Sequence, residues 1–85
     1  NDTQFIYESL ITHLDRFIEK ATYIIDNNDS LSFNEKSKLL TISIYNEIKQ
    51  ELLNKGINEN HSVFKILKLD IEVSSMGLIF ALDRN

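Results

Sequence analysis

"HSVFKILKLDIEVSSMGLIFALDRN", residues 61–85, carries two competing periodicities. Lys68 to Val73 alternates strictly between polar and apolar, as a half-buried strand does, and "SSMG" followed by "LIFAL" could turn it back as a hairpin. A lone two-stranded sheet is marginal in water and would leave both edges open across whatever it packs on. Read at 100° per residue, the same segment predicts a helix over about 60–83, with Lys68 and Glu72 one turn apart. The helical reading is preferred because two further helices of similar length precede it. Asp70 marks a place where this helix could break in two, with the aspartate capping the second piece.

As a helix the segment has an excess of apolar surface. Lys65, Lys68, Glu72, Ser75 and Asp83 share one narrow polar strip. Phe64, Leu67, Ile71, Leu78 and Leu82 form one apolar stripe, and Ile66, Leu69, Val73, Met76 and Phe80 form another on nearly the opposite side. A three-helix core needs only one of them. Ser74, Gly77 and Ala81 add a small-residue row that would let another helix approach closely.

Upstream, Phe5 to Ile25 fits three heptads in which every a, d and e position is apolar: Tyr7, Leu14 and Ala21; Leu10, Phe17 and Ile24; Ile11, Ile18 and Ile25. This predicts a core-facing helix over about 3–26, with Asp2 or Thr3 as its cap. Its outer face lines up Glu8, Asp15, Glu19 and Asp26. "DNNDS" then supplies turn and cap residues, and Ser32 to Glu35 has the spacing of a capping box. A second helix over about 33–55 carries Leu40, Ile44, Tyr45, Ile48 and Leu52. Gly56 fits the left-handed position after its end, and Ile57 could fold back on Leu52. Asn58 to Asn60 offer caps for the third helix. The expected fold is therefore all-α, one domain over residues 1–85, an antiparallel bundle of three long helices.

Composition narrows the function classes. The 85 residues contain no cysteine, so neither a disulfide framework nor thiol chemistry is available, which favours a reducing, cytoplasmic setting. No basic stretch followed by an apolar run opens the chain, and the longest uncharged apolar run is about half of the roughly 20 residues that span a bilayer. The net charge of −4 argues against nucleic acid, whose binding relies on Lys and Arg neutralising phosphates. That acidity is concentrated in residues 1–30, where six acids face Arg16 and Lys20.

The candidate chemical motifs fail on inspection. Asp26, Asn28 and Ser30 occupy the first, third and fifth positions of an EF-hand loop, but Leu31 stands where glycine is needed and Ser37 where a bidentate glutamate is needed. His13 and His61 lack a ligand partner at helical spacing, so no metal is expected. The serines have no local base or oxyanion loop, the two glycines cannot form a phosphate loop, and no cofactor or enzymatic activity is expected. Residues 66–82 can be laid over a helix-turn-helix, yet the recognition helix would show DNA no Arg, Lys, Asn or Gln.

The function expected from these features is a non-catalytic protein-binding module: a small inhibitor, an immunity or antitoxin-like protein, or a regulatory adaptor. Val73, Met76, Ile79 and Phe80 would form the desolvated centre of its interface. Glu8, Asp15, Glu19 and Asp26 would steer a basic protein partner. The alternative expectation is a homodimer that buries the surplus apolar face of the last helix.

Overall fold

A computed structural model describes residues 4, 8 and 11–83. Three helices follow in chain order: α1 (Leu14–Asn27), α2 (Phe33–Asn54) and α3 (Val63–Leu82), with contacts among all three and no strand among the described residues. Helices α2 and α3 form the main pair, and α1 packs less extensively against each of them. The hairpin reading is not realised, and α3 runs through Asp70 without a break.

Local chemistry accounts for the boundaries. Gln4, Glu8, Ile11 and Thr12 are helical as well, but His13 interrupts the first predicted helix with φ −95° and ψ 6°. The proposed caps Asp2 and Thr3, with Phe5, Tyr7 and Leu10, lie outside the described residues. At the far end of α1, the side-chain amides of Asn27 and Asn28 donate to the carbonyls of Tyr23 and Ile24, each at 2.9 Å. These bonds fold the two asparagine side chains back onto the last turns of α1.

The start of α2 is the capping box expected from sequence. Glu35 N–H donates to Ser32 Oγ at 3.2 Å, and Ser32 N–H donates to Glu35 Oε1 at 3.1 Å. Hydrogen bonding from Ser32, first from its backbone N–H and then from its side chain, holds the Glu35 carboxyl below the usual carboxylate range.

The end of α2 is a Schellman motif. Ile57 N–H donates to Leu52 O at 3.2 Å, Gly56 N–H donates to Leu53 O at 3.0 Å, and Gly56 takes φ +94°. A Cβ at Gly56 would meet nothing within 4 Å, so only the backbone opposes a side chain there. Gly56→Ala is expected to lower stability by about 1 kcal/mol in urea unfolding, with the helix content unchanged.

The start of α3 differs from the sequence expectation. Asn58 accepts Asn60 N–H at 2.7 Å and shapes the turn, but the ring of His61 caps the helix, taking Val63 N–H on Nδ1 at 3.0 Å.

The core consists of Phe17, Ala21 and Ile24 from α1, Leu40, Ile44, Ile48 and Leu52 from α2, and Val63, Phe64, Leu67, Ile71 and Ile79 from α3. On α1 the predicted stripe is only half used, because Leu14 and Ile18 remain exposed while Ile25 is partly buried. The third helix shows the clearest departure. Its buried row runs Leu67, Ile71, Ser75, Ile79, in steps of four, instead of continuing to Leu78 and Leu82. On α2 the buried row Leu40, Ile44, Ile48, Leu52 has the same step. Rows of this kind are the ridges by which two helices interlock, and each step of four turns the contact 40° around the axis. The core stripe on α3 therefore rotates away from Leu82, which stays exposed, and takes in Ile79.

Ser75, read from sequence as part of the polar strip, is fully buried by this rotation, and α2 brings Ser37 and Thr41 into the core as well. Thr41 donates to Ser37 O at 2.8 Å, whereas the hydroxyls of Ser37 and Ser75 are buried with no hydrogen-bond partner. A buried hydroxyl without a partner costs stability that a methyl group does not. Ser75→Ala should accordingly raise the unfolding free energy by about 1 kcal/mol, measured by urea titration.

Candidate protein-binding surface

The outward face of α3 is built by the same rotation that sets its core. With Leu67, Ile71, Ser75 and Ile79 turned inward, the opposite side presents Ile66, Leu69, Val73, Met76 and Phe80, exposed by 53, 62, 72, 47 and 65%. Three of the four apolar residues expected at an interface, Val73, Met76 and Phe80, lie in this row. Ile79 does not: it is 0% exposed and belongs to the core, which corrects its assignment to the partner-binding face. The row is bordered on one side by Lys65 and Glu72 and on the other by Asp70 and Gly77.

The acidic residues lie elsewhere. Glu8, Asp15, Glu19 and Asp26 are all exposed. Asp15, Glu19 and Asp26 occupy the side of α1 opposite Phe17, Ala21 and Ile24. The structure thus divides the sequence-predicted site into two surfaces, an apolar row on α3 and an acidic face on α1, each turned away from the core of its own helix.

Cross-helix ion pairs were not visible in the sequence, because each joins residues far apart in the chain on two different helices. Arg16 Nη2 lies 2.6 Å from Glu47 Oε1, and Lys20 Nζ lies 3.6 Å from the same oxygen. His13 Nε2 lies 2.6 Å from Glu51 Oε2. Together they fasten α1 to the second half of α2. The hydrogen bond from Arg16 holds the Glu47 carboxyl below the usual carboxylate range against the opposing effect of burial, and the bond to His13 does the same for Glu51.

A depressed carboxyl pKa means that the unfolded chain binds more protons than the folded one below about pH 4.5. The stability these carboxylates contribute is present above that pH and lost as pH falls through their folded values. Urea midpoints taken from pH 6 down to pH 3 should fall, and Glu47→Gln should flatten the fall; an unchanged slope would show that this tie does not couple to folding.

The described residues also line two open grooves. One, of 310 Å³ between α2 and α3, is lined by Ser37, Lys38, Thr41, Ile42, Lys68 and Met76 among others, and abuts the apolar row. The other, of 490 Å³ between α1 and α2, is lined by Lys20, Tyr23, Ile24, Leu39 and Ser43 among others. Lys68 and Lys49 stand over the ring of Tyr45, each 5.9 Å from its centroid, so the first groove has a cation held at its edge. Among the described residues, no group of three or more His, Asp or Glu side chains is placed to hold a metal ion. No described helix is long and apolar enough to cross a membrane.

No protein family, curated protein or solved structure matches the chain.

Proposed function

We propose that the protein is a non-catalytic interaction module, of the kind found in small inhibitors, immunity or antitoxin-like proteins and regulatory adaptors, and that it docks through the outward row of α3. The observation that carries this reading is that α3 is apolar on two opposite sides, of which the core uses only one. Five neighbouring large apolar side chains on one exposed helix face are what a helix presents when another chain is to cover it. Val73 and Met76 form the centre of the docking surface, flanked by Leu69 and Phe80.

The exposed acids of α1 supply the second element. Glu8, Asp15, Glu19 and Asp26 give one side of the molecule a negative field that accelerates encounter with a basic protein more than it tightens the final complex. Raising the ionic strength should therefore slow association and leave dissociation nearly unchanged.

Photo-crosslinking in cells that express the protein tests the docking surface. A benzophenone side chain at Val73 is expected to trap a defined protein adduct, and one at the exposed control position Gln50 is expected to trap none. Identical profiles from the two positions, or no adduct from either, would remove α3 as a docking element.

A further inference from the structure

We infer that the occupant of the outward row of α3 is α3 of a second copy of this chain, aligned parallel and in register as a short two-stranded coiled coil. This rests on the reading of α3 as the docking element and names what docks there.

The first argument is the spacing. Within the molecule, the buried row of α3 advances in steps of four, as interlocking ridges do. The outward row advances by three, four, three and four: Ile66, Leu69, Val73, Met76, Phe80. That alternation is the a and d seam of a coiled coil, which a partner helix can follow without drifting off the face. The steps leave one frame, with Ile66, Val73 and Phe80 at a and Leu69 and Met76 at d. Two of the three a residues are β-branched and the d residues are unbranched at Cβ, the combination that favours two parallel strands over higher assemblies.

The second argument is charge. In this frame Lys65, Glu72 and the core residue Ile79 take the g positions, and Asp70 and Gly77 take the e positions. A parallel mate brings each Lys65 beside Asp70 of the second copy, giving two opposite-charge pairs across the seam, and sets Glu72 beside the neutral Gly77. An antiparallel mate either opposes Asp70 to Asp70 and Glu72 to Glu72 or slides until Ile66 faces Asp83. Lys65, Lys68, Asp70 and Glu72 sum to zero, so the seam carries none of the net −4 of the chain.

The third argument is area. The seam runs for about 21 Å of helix. Five large side chains from each copy, exposed by 47–72%, bring the buried surface to about 1,000 Å², near the lower limit for a specific contact between folded chains. A dimer that forms reversibly at micromolar concentrations is the expected strength. The exposed acids of α1 lie outside this contact, so the dimer offers two acidic faces to a basic partner.

Sedimentation equilibrium on the full chain tests the proposal, with far-UV circular dichroism to verify that each variant stays folded. The wild type should show a monomer–dimer equilibrium. Val73→Glu should abolish it with helicity unchanged. Lys65→Glu should weaken the dimer by about fivefold or more, and adding Asp70→Lys should restore it by exchanging the two charges. Because the chain has no cysteine, Ile66→Cys reports on direction: a parallel seam places the two thiols within disulfide reach, whereas an antiparallel one sends them to opposite ends. A monomer at all concentrations up to about 1 mM, a dimer indifferent to Val73→Glu, or a dimer that Ile66→Cys cannot link would each overturn the parallel seam. A monomeric wild type that still crosslinks to another protein from position 73 would leave the docking role of α3 standing with a different occupant; a monomer without such a crosslink would remove both.

Discussion

Ile79→Asp is expected to abolish the cooperative unfolding transition, while the neighbouring Phe80→Asp leaves a folded monomer. Both residues lie in the apolar segment near the end of the chain, and sequence alone assigns both to the same surface. In the structure Ile79 is 0% exposed and sits in the core with Leu67 and Ile71, whereas Phe80 is 65% exposed. Aspartate at position 79 removes a buried aliphatic side chain and places a carboxyl among apolar neighbours. The two effects together cost about 4 kcal/mol or more. A chain of this size has only about 4–13 kcal/mol in total, so little or no stability remains. At position 80 the new carboxylate reaches water, and the change in stability should stay within about 1 kcal/mol. Thermal melts followed at 222 nm check both. If the two variants are destabilised equally, α3 is not rotated in the way its buried row implies.

The second large effect concerns Lys36, which is buried in the first turn of α2 with its side chain only 8% exposed. A cation at a helix N-terminus faces the positive end of the helix dipole, and burial adds a desolvation penalty. Asp83, just beyond α3, offsets both: its carboxylate lies 2.7 Å from Lys36 Nζ and fastens the end of the last helix to the start of the second. Asp83→Ala should leave the buried ammonium without that partner and lower stability by about 2 kcal/mol. This is less than for a fully buried pair, because the Asp83 side chain is 34% exposed. Lys36→Met combined with Asp83→Ala should recover most of the loss, since an apolar side chain of similar length suits the site without needing a counter-charge. Urea unfolding of the two single variants and the double variant gives the coupling directly. A double variant no more stable than Asp83→Ala would mean that Asp83 acts by some route other than the lysine.

The two expectations separate what is local from what is not. Helix type, helix number and most boundaries were legible because they depend on neighbours in sequence. The capping box at Ser32 and Glu35 involves residues three apart, and the Schellman stop at Gly56 involves residues three and five apart. The helical reading of residues 63–82 also held, since a lone alternating stretch could not outweigh the cost of an unsupported hairpin.

The outward row of α3 was half legible. Hydrophobic patterning showed that α3 has more apolar residues than a three-helix core requires, and it placed Val73, Met76 and Phe80 on the surplus side. It could not place Ile79, because that residue lies 120° around the helix from Leu67 and falls between the two stripes on an idealised wheel. Only the way α2 and α3 interlock, four residues at a time along both helices, decides that the core reaches round to Ile79 and Ser75. The same holds for Lys36 with Asp83 and for Arg16 with Glu47: their charges are plain in the chain, but their pairing depends on which helix ends the antiparallel packing brings together. Sequence determined three helices, the capping box and Schellman stop of the second, and an excess of apolar surface on the last, because short-range hydrogen bonding and side-chain periodicity are properties of a single segment. The tertiary structure decided which residues form that excess surface, because the rotation of a helix about its own axis is set by the side chains it packs against.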